Sequence, residues 1–121
     1  MKTPPISPDQ GALFDLEAIL EELRADQQYV LEGQASRTLI RSADLRIVVI
    51  ALQGGRTISE HHAKVTASVQ TLSGHIRLQL PERSVDVQTG QILVMSAGVT
   101  HDVHAETDSA FVLTLGWPAS Q

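Results

Sequence analysis

Residues 59–74, SEHHAKVTASVQTLSG, alternate small or apolar side chains with polar ones and end on a glycine. Successive side chains of a β-strand point to opposite faces, so this alternation predicts a strand with one buried face, starting near His61. The odd positions form the apolar face, which consists of His61, Ala63, Val65, Ala67, Val69 and Thr71. We therefore expect His61 to face the interior and His62 to point outward.

The same period of two continues along most of the chain from Ser36 onward. Glycines, prolines and polar clusters separate short runs of alternating or apolar residues. The strand candidates are SRTLIR (36–41), LRIVVIAL (45–52), TASVQTL (66–72), IRLQL (76–80), SVDV (84–87), ILVM (92–95), DVHA (102–105) and AFVLTLGW (110–117). Short strands at regular spacing, with turn signals between them, predict an all-β sandwich or barrel.

The N-terminal part has a helical period instead. Leu16, Ile19, Leu20 and Leu23 follow the i, i+3, i+4, i+7 spacing of an amphipathic helix, which we expect over residues 16–25. Asp15 is a suitable N-cap. We expect the apolar stripe to pack on the barrel as a lid.

The rest of the N-terminal region is predicted to be less regular. Residues 1–12 hold three of the five prolines and are expected to form an extended arm. Residues 26–33 are expected to form a connector with a short strand at 29–31. The predicted organisation is a single domain, with arm and helix in residues 1–35 and the β-barrel in residues 36–121.

Composition excludes several classes of function. The chain has 121 residues, enough for one domain, and a net charge of -5, which argues against nucleic-acid or anionic-membrane partners. It has no cysteine, which excludes disulfides, thiolate zinc sites and cysteine nucleophiles. The N-terminus does not have the pattern of a signal peptide, and no apolar run approaches the roughly 18 residues of a membrane span. We expect a cytoplasmic protein.

Two glycine-framed stretches resemble the two motifs of the cupin superfamily. In the first, Gly55 is followed by five residues and His61, and Gly74 closes the stretch; in the second, GQILVMSAGVTH places Gly90, Gly98 and His101 at the motif spacing. The resemblance implies a cupin jelly-roll barrel, here preceded by one short N-terminal helix, whose interior holds a metal or a small molecule.

The chain departs from these motifs at several positions. The motif histidine, glutamate, proline and asparagine are replaced by Ala63, Ala67, Ser96 and Ala105. Of the four metal-ligand positions that the resemblance implies, His61 and His101 remain. The resemblance therefore implies the fold, but neither a metal nor an activity.

Strand alternation selects the same two histidines. In residues 101–106, His101 shares a face with Val103 and Ala105, whereas His104 shares the opposite face with Asp102 and Glu106. We therefore predict that His61 and His101 lie together and form a divalent-metal site for Zn, Ni, Fe or Mn, if a metal is bound. The alternative set is Glu60, His62 and His104, which requires an irregular strand start.

Three functions remain open at this point. The leading hypothesis is a small-molecule-binding or sensor-like cupin with a polar histidine-lined pocket and a weak divalent-metal site. The alternatives are a metal-dependent dioxygenase or isomerase acting on a small organic substrate, and a non-catalytic interaction scaffold. We also expect a homodimer that pairs edge strands from residues 36–52, and we expect Trp117 to pack on the barrel or against the second subunit.

Overall fold

Two antiparallel β-sheets that share an apolar core form the body of the protein. The chain is described by a computed structural model over residues 3–116. The two helices are α1 (Leu16–Ala25) and α2 (Gln27–Glu32). The strands are β1 (Gln34–Arg41), β2 (Leu45–Leu52), β3 (Thr57–His61), β4 (Ala67–Ser73), β5 (His75–Gln79), β6 (Ser84–Gln88), β7 (Ile92–Met95), β8 (His101–Ala105) and β9 (Ser109–Gly116). The sheets have the strand orders β1-β2-β9-β4-β7 and β3-β8-β5-β6, which confirms the predicted all-β class.

Each sheet contributes one face to the core between them. This inner core includes Leu52, Val69 and Phe111 of the five-stranded sheet and Ile76 and Leu78 of the four-stranded sheet, all at most 2% exposed. Their burial removes apolar surface from water, which stabilises the packing of the two sheets.

The helices cover the other face of the five-stranded sheet. Leu20 and Leu23 of α1 lie in one buried cluster with Val49 and Ala51 of β2 and Ala110 of β9. Strand β2 is therefore buried on both faces, which explains why its sequence is almost continuously apolar. The packing confirms that the stripe of α1 lies on the sheet. Within residues 3–116, neither helix is long and apolar enough to cross a membrane.

Helix α1 has the predicted bounds, but the predicted strand at 29–31 is wrong. These residues belong to α2, which starts where the Asp26 carboxylate accepts a hydrogen bond from the backbone N–H of Gln28, at 2.8 Å. The helix ends at Gly33, whose φ of 80° is a left-handed conformation suited to glycine. Two caps and the burial of Tyr29 against the core stabilise a helix too short to show a clear period in the sequence.

The sequence pattern also missed a strand and misplaced the start of another. Strand β3 was not predicted, because Ile58 is its one partly buried residue and the alternation is weak. His61 is the last residue of β3, and β4 begins at Ala67, so residues 61–72 do not form one continuous strand. Trp117 lies outside the described residues.

Candidate functional site

His61 and His101 meet where β3 ends and β8 begins. The two residues are Cα partners in the antiparallel pairing of these strands. Their ring centroids lie 4.3 Å apart, and the rings meet edge to face with an interplanar angle of 63°. The structure thus brings together two residues that lie far apart in the sequence, as the motif spacing predicted. The alternation along residues 61–71 does not account for this meeting, because β3 ends at His61 and β4 begins at Ala67.

An irregularity in β3 determines which way His61 points. Ile58 pairs with Val103, and His61 pairs with His101, so β3 advances by three residues while β8 advances by two. Ile58 packs against the inner core, and strict alternation from Ile58 would turn His61 to the outer face. The extra residue is a β-bulge, which returns His61 to the side of His101.

Backbone carbonyls fix the tautomer of both rings. The Nδ1 atom of His61 lies 2.8 Å from the carbonyl oxygen of Ser59, and the Nδ1 atom of His101 lies 3.0 Å from that of Val99. A carbonyl oxygen can only accept, so each Nδ1 must carry a proton and donate it. In the neutral rings each Nε2 then bears a free lone pair, which is the arrangement found in metal-ligating histidines.

The two histidines differ in their exposure. His101 is 4% exposed, whereas His61 lies exposed at the rim. Burial lowers the pKa of His101 below its usual value, and the neighbouring His61 lowers it further, while the hydrogen bond to Val99 opposes the shift. His101 is therefore mainly neutral near pH 7, and its Nε2 then carries a lone pair and no proton.

A backbone hydrogen bond holds the two approaches to the site together. The N–H of Gly98, in the loop before β8, donates to the carbonyl of Ala63, in the loop after β3, at 2.8 Å. Because the side chain of Ala63 is a methyl group, this position supports the site only through its backbone. Ala67, at the position of the motif glutamate, is 4% exposed and likewise offers no ligand.

The alternative ligand set is not gathered into one place. His104 lies on the opposite side of β8 from His101, and its Nδ1 atom is 2.7 Å from the hydroxyl of Thr57. Glu60 and His62 are exposed. Within residues 3–116, no group of three or more histidine, cysteine, aspartate or glutamate residues could hold a metal ion. The imidazoles of His61 and His101 are therefore the two histidine side chains that the structure brings together here.

The backbone carbonyls of Ser59 and Val99 are the components that sequence reasoning missed. They contribute main-chain oxygens, which every residue type carries, so residue identity gives no signal for them. The spacing in the sequence does give a signal, because in both cases the carbonyl belongs to the residue two positions before the histidine.

Several solved structures resemble this chain. A conserved protein of unknown function from Streptococcus pyogenes is 26% identical, with a TM-score of 0.72 over 98% of this chain and 96% of that chain. A cupin superfamily protein from Desulfitobacterium hafniense is 15% identical, with a TM-score of 0.69 over 72% of this chain and 80% of its own. Salicylate 1,2-dioxygenase from Pseudoaminobacter salicylatoxidans is 14% identical, with a TM-score of 0.79 over 96% of this chain but 35% of that enzyme.

These comparisons establish the fold. The chain is a small cupin-fold protein, which confirms the resemblance drawn from the two glycine-framed motifs. No family model and no curated protein matches the sequence. Because one fold carries many activities, function has to be argued from the two histidines themselves.

Proposed function

We propose that this small cupin-fold protein binds a small molecule at the His61–His101 pair, with a weakly held divalent metal ion as part of the site. The observation that carries the proposal is the pair of fixed tautomers, which leaves a lone pair on each Nε2 while the rings lie 4.3 Å apart. Two neighbouring Nε2 lone pairs favour a ligand that interacts with both of them. A metal ion can accept both lone pairs, and a ligand hydroxyl or amine can donate hydrogen bonds to them.

The chemistry of the two donors limits the metals that fit. Neutral imidazole nitrogens suit zinc, nickel and iron(II), whereas manganese prefers oxygen ligands and fits less well. A bound ion would supply Lewis-acid polarisation of a ligand oxygen. His61 and His101 would hold it through Nε2, and Ser59 and Val99 would orient the rings through Nδ1.

Two protein ligands favour binding over catalysis. Catalytic zinc sites use three protein ligands, and non-haem iron oxygenases use two histidines and a carboxylate. Within residues 3–116, no third side chain of these types joins the pair. A metal held by two ligands keeps most coordination positions for water or for donor atoms of a captured molecule, which supports a sensor-like role over a dioxygenase or isomerase.

The setting of the site is part of the same proposal. We expect a homodimer acting in the cytoplasm on a soluble small molecule. The absence of cysteine supports this location, because the protein needs no oxidising compartment.

NMR of the imidazole nitrogens tests the proposed site directly. In untagged protein without metal, the nitrogens of both rings should show the Nδ1-protonated tautomer. Zinc or nickel should then perturb Nε2 of both His61 and His101 and leave His62 unchanged. Elemental analysis of the protein as purified gives an independent measure of bound metal. If millimolar zinc leaves both Nε2 signals unchanged, the metal part of the proposal is wrong.

A further inference from the structure

The N-terminal arm, residues 3–8, runs beside the outer edge of the five-stranded sheet. The backbone N–H of Ile6 donates to the carbonyl of Leu39 in β1, at 3.1 Å. Within the described residues, this is the one backbone hydrogen bond between the arm and β1. Every residue of the arm is exposed, and the Ile6 side chain is 50% exposed. The arm therefore lies on the sheet edge but is held there weakly.

The arm covers the edge only near an irregular point. Strand β1 is terminal in the order β1-β2-β9-β4-β7, and its register against β2 shifts between Thr38 and Ile40, which places Leu39 at a bulge. The arm bonds to this bulged residue. A groove of about 520 Å³ lies beside this contact, with walls formed by the arm, β1 and the helical segment, including Pro4 and Pro5, residues 35–38 and Arg41, and Leu23, Asp26 and Gln28. Within the described residues, the backbone of the arm is thus bonded to β1 at Leu39 alone.

The composition of the arm suits a cover that cannot be extended. Pro4, Pro5 and Pro8 have no N–H. In an extended arm Pro4 and Pro8 lie on the same side as the Ile6 N–H, so they limit pairing with β1, and Pro5 removes a donor from the outer side. Natural proteins use proline and covering loops in this way to blunt exposed sheet edges. A cover held by one hydrogen bond can, however, leave without disturbing the core.

We infer that the arm is a detachable guard of β1, and that its release lets β1 of a second copy of this chain pair with the exposed edge. This inference rests on the proposed homodimer and specifies what controls it. A twofold antiparallel pairing centred on Thr38 avoids contacts between like charges along the strand. It places Arg37 opposite Leu39 of the partner subunit and Arg41 opposite Ala35 of the partner subunit, so no two arginines face each other.

The nearest charge to the twofold axis is already neutralised within one chain. Arg37 forms an ion pair with Glu22 of α1 at 2.6 Å, and the arginine side chain is 19% exposed. Arg37 therefore needs no acidic residue of the second copy to neutralise its charge.

The arm and the second copy compete for the same carbonyl of Leu39. The dimer should therefore form at lower protein concentration when the hydrogen bond between the arm and β1 is removed.

The test uses the full-length chain and sedimentation velocity. Ile6→Pro removes the N–H that holds the arm, and Ile6→Ala is the matched control that keeps it. One hydrogen bond corresponds to a roughly 2- to 10-fold change in an equilibrium constant, so Ile6→Pro should lower the dimer dissociation constant by about that factor relative to Ile6→Ala. Metal titration of the same samples reports on the histidine site separately.

A cross-linking experiment locates the interface. The chain has no cysteine, so Thr38→Cys introduces a single thiol that should form disulfide-linked dimers, more so when combined with Ile6→Pro. Ser84→Cys, on the edge strand β6 of the other sheet, is the control and should not cross-link.

The possible results separate the guard from the dimer. If Ile6→Pro weakens a dimer that the natural sequence forms, the arm is part of the interface, so the guard is wrong and the dimer stands. If the natural sequence and the Ile6→Pro variant both stay monomeric over a 100-fold range of protein concentration, the proposed guard and the proposed homodimer are both wrong. A monomeric natural sequence with a dimeric Ile6→Pro variant supports the guard and limits the homodimer to the released state.

Discussion

His61 lies opposite His101 in the pairing of β3 and β8, although three residues earlier Ile58 lies opposite Val103, two positions along β8. The unequal advance of the two strands turns His61 toward the side of His101, where the rings approach to 4.3 Å. With three residues from Ile58 to His61, the candidate site thus depends on the bulge as well as on the histidines.

Shortening β3 by one residue should leave the two histidines together. Deletion of Glu60 makes the advance from Ile58 to His61 equal to the two residues of β8 from Val103 to His101, so strict alternation keeps His61 on the inner face without a bulge. Nickel affinity, measured by calorimetry, should therefore stay near that of the natural sequence and above that of His61→Ala. Glu60→Ala keeps the strand length and should also bind like the natural sequence. A loss of affinity in Glu60→Ala would instead identify the Glu60 carboxylate as a ligand.

The two histidines should behave as one unit in metal binding. We expect His61→Ala and His101→Ala each to weaken cobalt or nickel binding by at least about tenfold, the loss that removal of even an outer-shell partner causes. The double variant should bind little worse than the weaker single variant, because the residues share one ligand.

Two other histidines provide the controls for this comparison. His62→Ala and His104→Ala should leave nickel affinity nearly unchanged, since His62 is exposed and His104 faces the other side of β8. If either matters as much as His61, the site must be redrawn around Glu60, His62 and His104. Circular dichroism should accompany each titration, because His101 is buried.

Position 67 offers a way to restore a third ligand. Ala67 is 4% exposed, so Ala67→Glu should destabilise the metal-free protein by about 2 kcal/mol or more through the buried carboxyl group. Nickel should raise its melting temperature more than that of the natural sequence. Thr66→Glu, at an exposed neighbouring position, should change neither property. Equal responses to nickel in the two variants would mean that position 67 does not face the pair.

The pKa of His101 predicts how stability depends on pH. Burial lowers this pKa in the folded protein below the value of about 6.5 expected for the unfolded chain. Between the two values the unfolded chain binds more protons, so the free energy of unfolding falls as the pH drops through about 6.5 and levels off below the folded pKa.

Urea titrations at pH 7.5 and 5.5 measure this contribution. His101→Gln should lose less stability between the two pH values than the natural sequence does, because its side chain does not titrate. His62→Gln, at an exposed position, should keep the natural pH dependence. The same loss of stability in all three proteins would show that other groups cause the effect.

Two glycines with the same backbone conformation should differ in their tolerance of a side chain. Gly74 and Gly90 have φ values of 88° and 86°. A Cβ on Gly74 would overlap the carbonyl oxygen of Asp108 and the side chain of Ser109, whereas one on Gly90 would meet open space. Gly90→Ala should therefore cost about 1–2 kcal/mol from backbone strain alone, and Gly74→Ala about 3 kcal/mol or more. Chemical denaturation measures the free energy of unfolding of both variants. Similar decreases in the two variants would contradict the overlap at Gly74.

Local patterns in the sequence predicted those elements whose own residues contain the signal. The stripe from Leu16 to Leu23 gave α1 with its observed bounds, and apolar or alternating runs located eight of the nine strands that the structure describes in residues 3–116. Helix α2 could not be found in this way, because its stability comes from the Asp26 and Gly33 caps and from Tyr29 packing into the core. Strand β3 is mostly exposed, and its pairing with β8 is what makes it a strand.

The sequence by itself determined the all-β cupin fold through its hydrophobic period and glycine spacing, and the glycine spacing also singled out His61 and His101. Both patterns are local properties of the chain. Only the tertiary structure decided that His61 faces His101. The period of two breaks at the bulge before His61, and pairing with β8 specifies where the extra residue lies. The carbonyls of Ser59 and Val99 then fix the rings, and these are main-chain atoms whose positions follow from the folded backbone alone.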